Sequence, residues 1–375
     1  MLINNIKLRD DNQRIEAQLD FDSDQIQIYY QSSGPQLNPN LEAFIALSLV
    51  ASMIHGEDIY AYGSASQCFL DNLKAIQDFF LRWKPHYHRP AMHHIEPIQR
   101  PASSGNRIGV FFSAGLDSFY TFLKHKDEIT DLIFIHGFDI PLDQYALRQQ
   151  ASQVVHKVAA YYTKGVVEIE TNANRLNARF VSGHQGYGAF LASVGHLLYP
   201  DFRKIYIATG HTLETLDVME GSHPDLDSFW STEALHFVSD GVEATRMDKA
   251  AAVAQSKVAL QTLRVCVENR GGAYNCGKCP KCLRTLINLR MAGVVDQCTS
   301  FDRPLDLKRV ARIRPHGNKR IFLEEILKQL QASQTDPELE NAVRRALAEP
   351  KLVGKLIQII EKTRFRGARR NRFQQ

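Results

Sequence analysis

Residues 110–120 read "VFFSAGLDSFY", and the reading of this stretch decides the fold. A strand-like apolar run enters it, a turn of small residues follows, and Asp117 and Ser118 open what reads as a helix. A strand feeding such a turn leaves several backbone N–H groups pointing at one spot. The helix dipole adds partial positive charge there, so the spot favours phosphate. Ala114 and Gly115 let an anion approach the backbone, provided that Ala114 keeps a negative φ. Ser113 and Ser118 offer hydroxyl donors. Asp117 does not suit a direct phosphate contact; it suits Mg²⁺ or the cap of the helix. The chain has no GxxxxGK[ST] and no GxGxxG at this position.

Working outward, residues from Arg107 on alternate strand and helix. "RIGVFFS", "DLIFIHGF", "VVEIET" and "KIYIATG" read as strands. The helices between them begin at Asp117, near Tyr145 and near Tyr187. This alternation predicts βαβ units and a parallel sheet, with ligands at the carboxyl ends of the strands. The candidate residues are therefore those just past each strand: Ser113 to Ser118, His136 to Asp139, Thr171 to Arg175, and Thr209 to Glu214. Asn172 and Arg175, and His211 and Glu214, are candidates on that ground. Glu243, Arg246 and Lys249, at helical spacing in "DGVEATRMDKAAAVA", read as a solvated, salt-bridged face.

Residues 1–100 read as an α+β unit of their own. "RIEAQLDF" and "QIQIYYQS" are paired strands, "PNLEAFIALSLVASMI" is a largely buried helix, "DIYAYG" is a strand and "SQCFLDNLKAIQDFFLRW" is an amphipathic helix. The Pro-rich stretch "KPHYHRPAMHHIEPIQRPASSGN" reads as a linker, its histidines simply exposed. Residues 101–300 form the alternating unit. Residues 301–375 read as helices ("KRIFLEEILKQLQAS", "PELENAVRRALAE", "KLVGKLIQIIEK") ending in a basic tail, "KTRFRGARRNRF". That tail, with Phe365 and Phe373 interleaved, is either a solvated terminus or a nucleic-acid contact.

A net charge of +4 over 375 residues excludes a chain that is basic throughout. No run of apolar residues is long enough for a membrane span, and the N-terminus lacks the zones of a signal peptide. A cytoplasmic location and no membrane partner are the expectation.

Of six cysteines, Cys276, Cys279 and Cys282 fall in "CGKCPKC", and Cys266 lies ten positions before the first of them. Cys-x-x-Cys turns direct two sulfurs at one ion, and four thiolates suit a closed tetrahedral Zn²⁺. Cys298 competes with Cys266 for the fourth position, and an iron–sulfur cluster is the other possibility. Lys278, Lys281 and Arg284 would offset the thiolate charge.

"SAGLDS" resembles the SGGxDS signature of the PP-loop ATP pyrophosphatases, with Ala114 where that family usually has a second glycine. Loop and cysteines together resemble one branch, 7-cyano-7-deazaguanine synthase, in order and spacing over residues 106–292. "SHPDLDSFW" is similar in part to that branch's YPDCR motif: His223, Pro224 and Asp225 match in part, while Leu226 and Asp227 replace Cys-Arg. The resemblance implies an α/β, Rossmann-like PP-loop domain with a zinc site. It implies an enzyme that adenylates a small carboxylic acid with ATP and Mg²⁺, releases pyrophosphate, and passes the acyl group to ammonia or an amine. ATP would lie on Ser113, Ala114, Gly115, Leu116, Asp117 and Ser118, with His136, Thr209 and Gly210. Asp117 and Ser118 would take part in catalysis. Asn172, Arg175, His211, Glu214, His223 and Asp225 would meet the substrate, and Cys266, Cys276, Cys279 and Cys282 the zinc. A homodimer is left open. Two other readings compete: a tRNA-modifying PP-loop enzyme, and a non-enzymatic zinc module that binds nucleic acid or protein.

Overall fold

The structure is a computed structural model and describes residues 1–22, 24–181, 184–315 and 318–348. A ten-stranded, mostly parallel sheet runs through it. Its strands are β1 (Leu2–Arg9), β2 (Arg14–Phe21), β3 (Asp24–Ser32), β4 (Ile59–Ser66), β5 (Met92–Ile98), β6 (Arg107–Phe111), β7 (Asp131–His136), β8 (Gly165–Thr171), β9 (Phe202–Ala208) and β10 (His236–Asp240). They lie in the order β10-β9-β6-β7-β8-β3-β2-β1-β4-β5.

The five strands from β10 to β8 are all parallel and are connected as in a Rossmann-like, doubly wound sheet. The chain moves outward from β6 through β7 to β8, then crosses back to place β9 on the other side of β6. The carboxyl ends of β6 and β9 thus flank the switch point, where such sheets bind ligands. Strands β6 and β7 carry apolar residues on both faces between Ile108 and Phe111 and between Leu132 and Ile135, because helices cover both faces.

One face carries α1 (Leu41–His55), α2 (Gln67–Trp83), α5 (Asn174–Phe180) and α6 (Tyr187–Leu197). The other carries α3 (Leu116–Lys124), α4 (Tyr145–Tyr162), α7 (Arg246–Ala254), α8 (Lys257–Thr262) and α9 (Pro280–Met291). Phe44, Phe190, Ile135, Ile169 and Phe237 share the first core, and Val110, Phe119, Leu132, Val155 and Leu286 the second. A third cluster joins Ile287 of α9 to α10 (Leu307–Val310), α11 (Asn318–Ser333) and α12 (Pro337–Leu347).

The N-terminal residues share both sheet and core with the alternating unit. β3 pairs antiparallel with β8, Tyr30 opposite Thr171, and the first core runs from Ile3 to Phe237 without a break. The stretch expected to be a linker contains β5, an edge strand parallel to β4; Pro97 is tolerated there because an edge position leaves its missing N–H without consequence. Within that stretch His88 and His93 each place Nε2 against Asp58, at 3.0 and 3.1 Å, so these two histidines are tied rather than simply exposed. β1 escapes period-two reading because a register shift between Asn4 and Lys7, with Asn5 at φ +53°, breaks its alternation. The helix expected at 351–362 and the basic tail lie outside the described residues. Among the described residues no helix is long and apolar enough to cross a membrane.

Because one core serves both halves, deleting residues 1–100 should uncover the edge of β8 and the buried face of α6. The expected product of 101–375 is an aggregating chain that binds a hydrophobic dye and lacks near-ultraviolet circular dichroism; a cooperative, monomeric fragment would contradict the shared core.

Candidate functional site

The turn between β6 and α3 opens onto a cleft of about 3220 Å³ at the carboxyl ends of the strands. Helix α3 starts at Leu116 behind Gly115, with no side chain capping it, so its first amides are left for the cleft. Ala114 adopts φ +56°, the left-handed region, so the condition set by sequence fails: the turn takes the glycine-like conformation with a Cβ in place. That methyl is buried in the second core, and the Ala114 carbonyl accepts from the Arg264 N–H at 2.8 Å. The Ser118 hydroxyl donates to the Gly115 carbonyl at 3.1 Å, which holds the turn closed. Ser113, Gly115, Leu116, Asp117 and Ser118 line the cleft, while Ala114 sits behind them.

Asp117 neither caps α3 nor faces open solvent. Arg246 Nη1 donates to its Oδ2 at 2.9 Å, and Lys249 Nζ donates to its Oδ1 at 3.4 Å. Lys249 also donates to the Thr209 carbonyl at 2.7 Å, bridging the turn after β6 to the end of β9 across the switch point. Burial pushes the Asp117 carboxyl up, but Arg246, Lys249, Lys281 and Arg284 together hold it well below the usual carboxylate range. The cations bear the converse burden. Burial pulls Lys249 and Lys281 below the ordinary lysine range, and burial with the nearby Arg246 brings Arg284 down to about 9.

Two cations therefore contact the Asp117 carboxylate, and two more act on it from nearby. The Nε groups of Arg246, Arg284 and Arg264 are buried without a hydrogen-bond partner. Native structures rarely leave such donors unmet, so the corner is short of an anion.

Helical spacing predicts a solvated face for Arg246 and Lys249 together with Glu243. The structure separates them: Glu243 accepts from Lys124 and Tyr120, whereas Lys249 is 1% exposed and points into the site. A signal was present. Thr245 and Asp248 form a capping box at the start of α7, which occupies the acid nearest in sequence and leaves both bases without a partner on their own helix.

The other expected residues divide. Arg175, Gly210, His211 and Glu214 line the cleft, and a side chain at Gly210 would meet open space. Asn172 lines it too, but its amide is spent on the sheet: Oδ1 accepts from the Tyr29 N–H and Nδ2 donates to the Gln27 carbonyl, both at 2.9 Å. Thr209 contributes its carbonyl to Lys249 rather than a hydroxyl to the cleft. His136 is turned away, its Nε2 3.2 Å from Glu168 and its Nδ1 accepting from Arg148. His223 is fully buried, donating from Nε2 to the Leu216 carbonyl, and Asp225 lies outside the cleft near Arg82. Of the partial motif around them, Ser222 lines the cleft, while His223 and Asp225 build the loop behind it.

The cysteines meet as expected. The Sγ atoms of Cys266, Cys276, Cys279 and Cys282 lie within 4.8 Å of one another, all buried. Tetrahedral zinc with Zn–S bonds of about 2.3 Å requires sulfurs about 3.8 Å apart, so a small contraction seats one ion. Gly277 at φ +63° makes the first turn, and the N–H groups of Cys279 and Cys282 point at the sulfurs of Cys276 and Cys279. Asn275 ties the two ligand segments together, its Oδ1 accepting from the Val265 N–H at 2.9 Å and its Nδ2 donating to Leu263 and Ser300. Cys298 stands apart beside Ser300, so the fourth thiol of the cluster is Cys266. The second and third thiols of the knuckle, Cys279 and Cys282, flank Pro280 at the start of α9, which carries Lys281 and Arg284 into the cleft.

Compared with known proteins, the chain matches no family model, no curated protein and no solved structure.

Two measurements test this geometry. Cys276→Ser should lower zinc from about one per chain and the melting temperature by roughly 10 °C or more, while Cys298→Ser leaves both unchanged; equal effects would contradict the ligand set. Ala114→Gly relieves the left-handed alanine but loses a buried methyl, so its urea stability should fall within about 1 kcal/mol of the parent, whereas β-branched Ala114→Val should cost more than about 2 kcal/mol.

Proposed function

We propose that the chain is an ATP-dependent, AMP- and pyrophosphate-forming ligase of the PP-loop type. In this reading it adenylates the carboxylate of a deazaguanine-type or other small acid for attack by ammonia or an amine, in the manner of 7-cyano-7-deazaguanine synthase. One observation carries the reading: Arg246 and Lys249 sit on Asp117 with Lys281 and Arg284 nearby, and the Nε groups of Arg246 and Arg284 are buried without an acceptor, at the uncapped start of α3 and at the switch point of a doubly wound sheet.

ATP bound with Mg²⁺ supplies the phosphoanhydride whose cleavage drives acyl activation. Arg246, Lys249, Lys281 and Arg284 would take up the negative charge that develops on departing pyrophosphate, and the first amides of α3 would add theirs. Asp117 fits the metal as well: each of its oxygens receives one cation and keeps lone-pair capacity, so the carboxylate can hold Arg246 and Lys249 in place and still meet Mg²⁺. No side chain need supply strong acid or base for the adenylation itself, because positioning and charge suffice. The four-cysteine cluster, closed and buried, suits a structural zinc that fixes the start of α9 and with it two of the four cations.

A second reading, an RNA-modifying enzyme of the same chemistry, draws support from the width of the cleft. Its volume exceeds the roughly 300–1,000 Å³ usual for small-ligand sites, and Arg175, Arg179, Arg270, Lys278 and Arg309 lie along it.

The test is mass spectrometry of the purified chain with Mg-ATP, ammonium and 7-carboxy-7-deazaguanine, following both AMP and the base. AMP with amide or nitrile is the expected product, reduced about 100-fold or more in Asp117→Ala and Lys249→Met at unchanged circular dichroism. AMP without modified base would move the search to another acceptor, RNA included. No AMP, with no nucleotide binding, would leave the non-enzymatic zinc module.

A further inference from the structure

At the carboxyl end of β9 a histidine and a glutamate face each other across a gap too long for a hydrogen bond. His211 is 4% exposed, and its Nδ1 lies 3.0 Å from the Thr215 carbonyl. A carbonyl only accepts, so Nδ1 carries the proton and, in the neutral ring, Nε2 is a bare acceptor. That Nε2 is buried without a hydrogen-bond partner, 3.7 Å from Glu220 Oε2. Glu220 is exposed and lines the cleft. Two acceptors at this distance lack one proton: a proton arriving at either atom lets the pair close to hydrogen-bonding distance.

The pair sits beside the cation corner. The His211 N–H donates to Thr209 Oγ1 at 3.1 Å, and the Thr209 carbonyl holds Lys249. Arg284 feels the charge of Glu220. The other titratable group against the imidazole is His223, whose ring centroid is 4.7 Å away. Burial lowers His223, and it accepts from the Asp225 N–H through Nδ1, so it stays neutral and does not compete for the proton.

We infer that Glu220, with His211 behind it, is the subsite for the attacking amine: an ammonium ion or a primary ammonium group. The inference rests on the ligase reading for its chemistry. Glu220 receives the cationic nitrogen from the cleft, and one N–H proton passes through the carboxylate to His211 Nε2. The freed lone pair forms the C–N bond at the acyl-adenylate carbonyl, while the C–O bond to phosphate breaks and its electron pair leaves on AMP. The nitrogen's second proton goes to the departing phosphate and on to water. The imidazolium left behind is paired on both sides, with the Thr215 carbonyl at Nδ1 and Glu220 at Nε2.

Two readouts on the full-length protein test this. In the first, exchange of pyrophosphate into ATP, driven by 7-carboxy-7-deazaguanine without ammonium, reports adenylation, and amide formation with ammonium chloride reports attack. Glu220→Gln and His211→Gln should keep exchange within about twofold and lose amide formation by about 10²-fold or more. Amide formed at the parental rate, or exchange lost in the same proportion, overturns the inference.

The second readout does not depend on turnover. With ¹⁵N-labelled histidine, His211 should show a protonated Nδ1 and a bare Nε2 at pH 8. Its Nε2 resonance should shift saturably with ammonium chloride, not with sodium chloride, and not in Glu220→Gln. A protonated Nε2, or no ammonium-specific shift, overturns the subsite. If the parent protein shows the shift yet no exchange, the ligase reading fails while the ammonium site stands.

Discussion

The site depends on the meeting of Asp117 with Arg246 and Lys249. These residues arrive from opposite sides of a crossover: Asp117 opens the helix after β6, and the two bases open the helix after β10. Lys249 then reaches the end of β9, so one ammonium group spans the two parallel strands between which the strand order reverses. Taking a lysine to 1% exposure is costly unless its charge is answered, and Asp117, the one carboxylate that Arg246 and Lys249 both touch, leaves the Nε donors of Arg246 and Arg284 unmet. A polyanion arriving there would meet those donors, which is what the proposed function requires of the corner.

The cysteine knuckle serves the same corner from a distance. Cys279 and Cys282 begin α9, and Lys281 and Arg284 follow within its first turns, so metal binding would set the height at which these cations stand over the turn. The N-terminal hundred residues act on the opposite wall. β3 covers what would otherwise be the open edge of β8, and the Asn172 amide fastens the end of β8 to Gln27 and Tyr29. They extend the sheet and bury one of its faces, and in doing so hold the β8 end of the cleft.

Much of this was legible in the sequence. β2, β3 and the strands from β6 to β9 show there as alternating or continuous apolar runs, the turn at 113–118 by its small residues, and the cysteine set by its spacing. What escaped did so for physical reasons. Ala114 gives no sign in sequence that its φ is positive, since that conformation is imposed by the packing of its methyl and by Arg264. β1 and β5 are irregular edge or bulged strands whose partners, not their own patterns, make them strands. Arg246 and Lys249 looked like surface charge because helical spacing cannot tell a solvated face from one turned toward a carboxylate more than a hundred residues away. His136, His223 and Asp225 sit near strand ends or in a partial motif, and only the direction of each side chain removes them from the cleft.

The most direct measurement is calorimetric titration of the zinc-loaded protein with inorganic pyrophosphate and with α,β-methylene-ATP, each in the presence of Mg²⁺. The account predicts one site per chain for both ligands, with affinity lost in Lys249→Met and Arg284→Met and weakened steeply by salt. A protein that binds neither ligand, or binds them equally well after those substitutions, would contradict the claim that the cation corner is a polyphosphate site.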